Sequence, residues 1–195
     1  MGSVFLYDDR RHAARLLAQR LGPADIVCAI PRGGLELGAV IAEHLKIPLS
    51  IVAVKKVTAP AEPEFARGAA SSECSEADPG TPEEWISAAK ESARAIEDTL
   101  TTANLSGKHV ILVDDGAATG RTFLIAIETA RSRGAAKITA ALPLASREAA
   151  DAIREHADEV IILETPEPFF AVGSFYREFE QVSDDEAKAL LDEHR

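Results

Sequence analysis

The sequence predicts an α/β fold, a parallel sheet with flanking helices, accompanied by a flexible loop and a small C-terminal segment. Three observations carry this. Short apolar runs alternate with longer segments whose apolar residues recur every three or four positions, the pattern of strands joined through helices. Two of the runs, 26–30 and 110–113, are apolar throughout, as in parallel strands buried on both faces. Turns rich in small residues follow those same runs, at the strand ends where open α/β sheets bind ligands.

Taken in order, residues 10–21 read as a helix with Ala14, Leu16, Leu17 and Leu21 on its apolar side, stopped by Gly22-Pro23. The strand 26–30 runs into Pro31-Arg32-Gly33-Gly34 and a helix over roughly 35–44. A second strand, 48–54, ends at Lys55-Lys56. Residues 57–80, rich in Ala, Pro, Glu and Ser and without helical period, read as a mobile loop with room for a small hairpin. Thr81-Pro82-Glu83-Glu84 looks like a helix start, with Thr as N-cap, Pro at N1 and Glu at N3. Ile86, Ala89, Ala93, Ile96 and Leu100 then form one stripe, open to packing within the chain or in a dimer. The strand 110–113 follows, then a helix over 122–133 ended by Gly134, strands 137–144 and 159–163, and a helix over 146–156 between them. A tail with Pro166 and Pro168 leads to a last helix capped by Ser183 with Glu186 at N3.

The composition sets limits on function. A chain of 195 residues, 46% hydrophobic and 27% charged, is the size and make-up of one soluble domain, and no internal repeat or separating linker is visible. No apolar run approaches the ~20 residues of a membrane span. The first ten residues lack the basic region and apolar core of a secretory leader, so a cytoplasmic protein is expected. Cys28 and Cys74 lie far apart, and the five histidines have no metal-like spacing, so neither a disulfide nor structural zinc is expected. A net charge of −11 argues against binding a nucleic-acid backbone.

The chemistry concentrates in residues 110–122, Val-Ile-Leu-Val-Asp-Asp-Gly-Ala-Ala-Thr-Gly-Arg-Thr. A Gly/Ala/Thr turn opening a helix gathers free backbone N–H groups at the positive end of the helix dipole, which suits a phosphate. Asp114 and Asp115 cannot serve that phosphate, because like charges repel; they suit hydroxyl groups or a hard cation beside it. The ligand so described is a phosphorylated sugar. No Gly-x-x-x-x-Gly-Lys-Ser/Thr occurs, which excludes a Walker P-loop. At the end of the first strand, two glycines allow close approach to an anion and Arg32 adds a charged fork.

This stretch resembles the signature of the type I phosphoribosyltransferases, which use phosphoribosyl pyrophosphate (PRPP). The resemblance implies that fold, with a flexible loop at about 57–80 and a hood at about 164–195. It implies transfer of the phosphoribosyl group to a nitrogen nucleophile such as a nucleobase, with release of pyrophosphate. Asp114 and Asp115 would hold the ribose hydroxyls, and Ala118, Thr119, Gly120, Arg121 and Thr122 the 5′-phosphate. Pro31, Arg32, Gly33 and Gly34 match the pyrophosphate loop, in which Pro31–Arg32 takes the place of a non-proline cis peptide. Lys55 and Lys56 occupy the place of the catalytic cations of orotate enzymes, with Glu64 and Arg67 in the loop beyond them. Mg²⁺ would enter with PRPP, with Asp114 and Asp115 as its nearest carboxylates, and no dedicated metal ligand is implied.

Four of the chain's ten aromatics fall in 166–176, where Phe170 takes the place of a base-stacking Phe. Phe169, Phe170, Ala171 and Val172 are thus the expected acceptor site, the alternative being an apolar plug for the tail. From Tyr-Asp-Asp-Arg to Phe-Glu-Gln-Val-Ser-Asp the chain is similar to a group of predicted phosphoribosyltransferases of bacteria and archaea. It departs from them at Arg121, where a small residue is usual, at Phe175, where Trp is common, and in a shortened segment before Thr81. Ala118 stands where hypoxanthine/guanine enzymes carry an Asp, which disfavours a 6-oxopurine. A PRPP- or nucleotide-binding sensor without catalysis is the alternative function. The expected partners are PRPP, a small acceptor and a second copy of the chain as a dimer, with neither nucleic acid nor membrane.

Overall fold

A computed structural model describes residues 5–100 and 102–194, apart from the side chains of residues 63 and 64. Its centre is a five-stranded sheet in the order β2-β1-β6-β7-β8. The strands are β1 (Ile26–Ala29), β2 (Leu49–Ile51), β6 (His109–Val113), β7 (Lys137–Leu144) and β8 (Glu159–Glu164), and all four pairings are parallel. The all-apolar runs have a simple cause. Successive side chains point to opposite faces, and both faces are covered. Val110 and Leu112 join one core with Ile26, Cys28, Ile138 and Leu142. Ile111 and Val113 join the other with Val27, Ala29, Leu35 and Ile41.

The helices are α1 (Arg10–Ala18), α2 (Gly33–Leu45), α3 (Glu83–Leu100), α4 (Arg121–Ser132), α5 (Arg147–His156) and α6 (Asp184–Glu193). α4 and α5 cover the first face; α1, α2 and α6 cover the second. Caps mark several helix starts: the Asp9 carboxylate accepts from the His12 N–H, the Ser146 hydroxyl from Ala149, and Ser183 with Glu186 forms a full capping box. The expected Thr81 cap is not formed. The Thr81 hydroxyl donates to the Asp78 carbonyl at 2.7 Å, and α3 begins at Glu83, one turn-forming Pro later.

Residues 57–80 contain more order than their composition announces. β3 (Lys55–Ala59), β4 (Glu62–Ala70) and β5 (Ser75–Ala77) form a separate antiparallel sheet, β3-β4-β5. Its strands mix Ala with charged residues such as Lys55, Lys56, Glu62, Arg67 and Glu76, so backbone pairing rather than an alternating apolar pattern defines them. Val57 and Ala70 are fully buried against Trp85, Ile86 and Ala89 of α3, while Ala69 reaches the main core. The α3 stripe expected to pack therefore does so inside the chain, with Ala93 and Leu100 completing the second core.

The two ends of the chain meet over the sheet. The Leu6 and Tyr7 N–H groups donate to the Phe175 carbonyl at 2.9 and 3.1 Å. The Tyr7 hydroxyl donates to the Pro143 carbonyl at 2.8 Å, and the Tyr7 and Tyr176 rings pack at a tilt with centroids 5.4 Å apart. Among the described residues no helix is long and apolar enough to cross a membrane.

Candidate active site

β1 and β6 are neighbours in register, Ala29 beside Val113, so the turns that follow them leave the sheet side by side. The Ile30 N–H donates to the Val113 carbonyl at 3.0 Å, which carries the pairing one residue past β1. Gly34 then packs so closely that a Cβ there would lie 2.7 Å from the Val113 carbonyl oxygen. At Gly33 a Cβ would lie 2.1 Å from Asp115 Oδ2. Only glycines allow these two turns to share one rim. The Pro31–Arg32 peptide is cis, as is Glu167–Pro168.

The small-residue turn 116–120 is held from below. The Ala117 N–H donates to the Leu144 carbonyl, the Ser146 N–H to the Ala117 carbonyl, and the Ser146 hydroxyl to the Ala118 carbonyl at 2.6 Å. α4 begins at Arg121 after Gly120, whose φ of 78° lies in the left-handed region, and no side chain caps its first turn. Its leading N–H groups and dipole are therefore available to an anion.

Between the turns lies a cleft of about 710 Å³, within the range of small-molecule sites. Pro31, Lys55, Lys56, Asp114, Asp115 and the 116–120 turn line it, with Thr122 and Val172. The structure thus brings together the expected diol, phosphate and cation residues. Burial, and then the Asp115 charge, push the Asp114 carboxyl well above the usual carboxylate range; the Asp115 N–H, Arg10 and Lys56 oppose this. Burial also raises Asp115, opposed by Arg10.

Other expected residues are placed differently. The Arg32 side chain is exposed and pairs with Asp184 at the start of α6, 2.9 Å away, rather than lining this cleft. Arg121 turns to Asp78 beyond β5, at 2.7 Å, joining the small sheet to the phosphate-type turn. Arg67 holds the Asp78 N–H through its carbonyl at 2.7 Å, and the side chain of Glu64 lies outside the described residues. Phe169 packs on Phe175, with centroids 5.1 Å apart, and Phe170 is 79% exposed. Of the expected acceptor stretch, Val172 alone lines the cleft.

Two contributors escape local sequence reading. Arg10, buried at the start of α1, donates from Nε to Asp115 Oδ2 at 2.9 Å and from Nη1 to the Glu180 carbonyl at 2.5 Å. Its guanidinium lies 3.8 Å over the Phe179 ring. The Tyr176 hydroxyl donates to the Asp115 carbonyl at 2.7 Å, so the acidic pair is braced from both chain ends. The one available signal was Arg10's place in the Tyr-Asp-Asp-Arg opening.

The profile of the family described as phosphoribosyl transferase domain matches residues 6–178. Two Mycobacterium tuberculosis proteins, each named "Putative phosphoribosyl transferase", are 36% identical over 206 residues, covering 96% of this chain and 46% of theirs. The chain therefore spans about half the length of the curated relatives it matches. The crystal structure of TT1426 from Thermus thermophilus superposes with a TM-score of 0.80 at 33% identity, covering 96% of this chain and 98% of that one. A purine phosphoribosyltransferase from Pyrococcus horikoshii shares the fold, with a TM-score of 0.53 at 20% identity over 90% of this chain and 93% of that one.

Proposed function

The chain belongs to the phosphoribosyl transferase domain family, and from that premise we propose that it transfers the 5-phosphoribosyl group of PRPP to a nitrogen nucleophile, such as a nucleobase, and releases pyrophosphate. One observation carries the reading: the Pro31–Gly34 turn and the Asp114–Gly120 turn share a rim at the ends of adjacent parallel strands. A single ligand with phosphates at both ends of a ribose can touch both.

In the reaction the bond from ribose carbon 1 to the pyrophosphate oxygen breaks, its electrons leaving with pyrophosphate, and a carbon–nitrogen bond forms as the attacking nitrogen gives up its proton to the departing pyrophosphate or to water. Positive charge develops on the sugar ring. Asp114 and Asp115 accept hydrogen bonds from the diol and set negative charge near that ring. Sugar hydroxyls restore to the buried Asp114 the donors it lost with water. Lys55 and Lys56 face the departing pyrophosphate. The 116–120 turn and the α4 dipole anchor the 5′-phosphate and hold the geometry.

Mg²⁺ fits this site as part of the substrate complex. Among the described residues no three His, Cys, Asp or Glu side chains converge as a metal cage. Mg²⁺ commonly binds through one or two carboxylates plus substrate phosphates. Asp115 has one oxygen engaged by Arg10, leaving the other, with Asp114, for such a contact. The ion would neutralise pyrophosphate charge.

Isothermal titration with PRPP and Mg²⁺ tests the reading; no heat of binding refutes it. A panel of bases and amines scored by pyrophosphate release then separates the enzyme from a PRPP-binding sensor, which would bind without turnover.

A further inference from the structure

An aromatic ring stands on the wall of the cleft where no acceptor residue was expected. Phe65, on β4, is 69% exposed and lines the cleft with Lys55, Lys56 and Thr58 of the same small sheet. The register of β3 against β4 shifts on both sides of Thr58, opposite Ala66. Irregularities of this kind re-aim side chains near sites. The cleft's other aromatic among the described residues, Phe123, is 2% exposed and belongs to the core beneath α4. The hood aromatics do not compete for the place: Phe169 is used against Phe175, and Phe170 is off the wall.

We propose that Phe65 is the acceptor-contacting residue of this protein, stacking on a flat aromatic ring held at ribose carbon 1. This rests on the phosphoribosyl-transfer reading and adds to it the residue that meets the acceptor. The cleft divides chemically as such a ligand would require. The 116–120 turn and Asp114 serve phosphate and diol, Lys55 and Lys56 the pyrophosphate, and Phe65 is the exposed aromatic among the apolar residues that complete the lining. A ring face recognises any flat base, because every base offers a π-face. Specificity among bases then comes from elsewhere.

The test compares ligands that differ only in the ring. Calorimetric affinities are measured for ribose 5-phosphate, PRPP with Mg²⁺, and AMP, GMP and UMP, in wild type, Phe65→Ala, Phe65→Tyr and Phe170→Ala. In wild type at least one nucleotide binds about 5- to 150-fold tighter than ribose 5-phosphate, the span a stacked base supplies. Phe65→Ala loses that increment while ribose 5-phosphate and PRPP shift less than twofold; Phe65→Tyr keeps it. An increment unchanged in Phe65→Ala, one lost instead in Phe170→Ala, or no nucleotide better than ribose 5-phosphate overturns the proposal and leaves the transfer reading standing. Wild type that binds neither ribose 5-phosphate nor PRPP overturns both.

Discussion

Replacing Arg10 with methionine tests whether the acidic pair is held from a distance. Arg10 keeps 7% and Asp115 15% of their side-chain surface, so their contact is largely shielded from water. Methionine fills much of the arginine stem but leaves the Asp115 carboxylate and the Glu180 carbonyl without their donor. Removing one partner of a buried pair costs about 3–5 kcal/mol. For a domain of this size each kcal/mol is about 2–4 °C, so the melting temperature should fall by roughly 6–20 °C. The pH dependence follows from Asp115, whose folded-state pKa is raised by burial and held down by Arg10. A carboxyl raised on folding favours the folded state below its unfolded pKa and loses that contribution as pH rises through the folded value. Without Arg10 the folded value climbs further, so the variant's deficit is greatest at pH 7 and shrinks as acid neutralises Asp115. Urea unfolding followed by circular dichroism at pH 7 and pH 4.5 reads both effects. In a cycle with Asp115→Asn the coupling should be about 1.5–3 kcal/mol. A variant within about 1 kcal/mol of wild type, or single costs that add to within about 0.5 kcal/mol, would refute the bracing role.

Three further outcomes follow from the same geometry. Asp114→Asn removes a carboxyl whose charged form burial and Asp115 both disfavour, and should raise stability at pH 7 by about 0.5–2 kcal/mol while weakening PRPP binding in the same calorimetric assay; a lowered melting temperature contradicts it. Gly34→Ala drives a methyl group to 2.7 Å from the Val113 carbonyl oxygen, so the two turns must part; a cost of about 1–3 kcal/mol in urea unfolding and loss of PRPP binding are expected. Burial pushes the Cys28 thiol up to about 12, so at pH 8 it stays protonated, and alkylation of the folded protein read by mass spectrometry should label the partly buried Cys74 first.

Much of the site was legible because its parts are local. An apolar run ending in two carboxylates and a Gly/Ala/Thr turn states its own strand, its own turn and its own helix start, and residues 109–122 adopt that order. The Ser183 cap was readable for the same reason, since donor and acceptor stand three residues apart. Thr81 shows the limit of such local rules: its hydroxyl had a second partner in Asp78, and the turn before α3 chose it. The strands of 55–77 carried too little apolar contrast to announce themselves, because their small residues gain order by pairing and by packing under α3.

The sequence by itself determined the strands of the central sheet, the two candidate ligand turns and the chemistry each can offer, because neighbours along the chain settle backbone geometry and residue type settles charge. Tertiary structure alone decided that the two turns share a rim and that Arg10 reaches Asp115 across 105 residues. It also decided that Phe65 rather than Phe170 stands on the cleft wall. Those outcomes depend on which strands pair and which helices cover them. Burial and pairing energies collected from the whole chain make that choice, and no short window of sequence contains them.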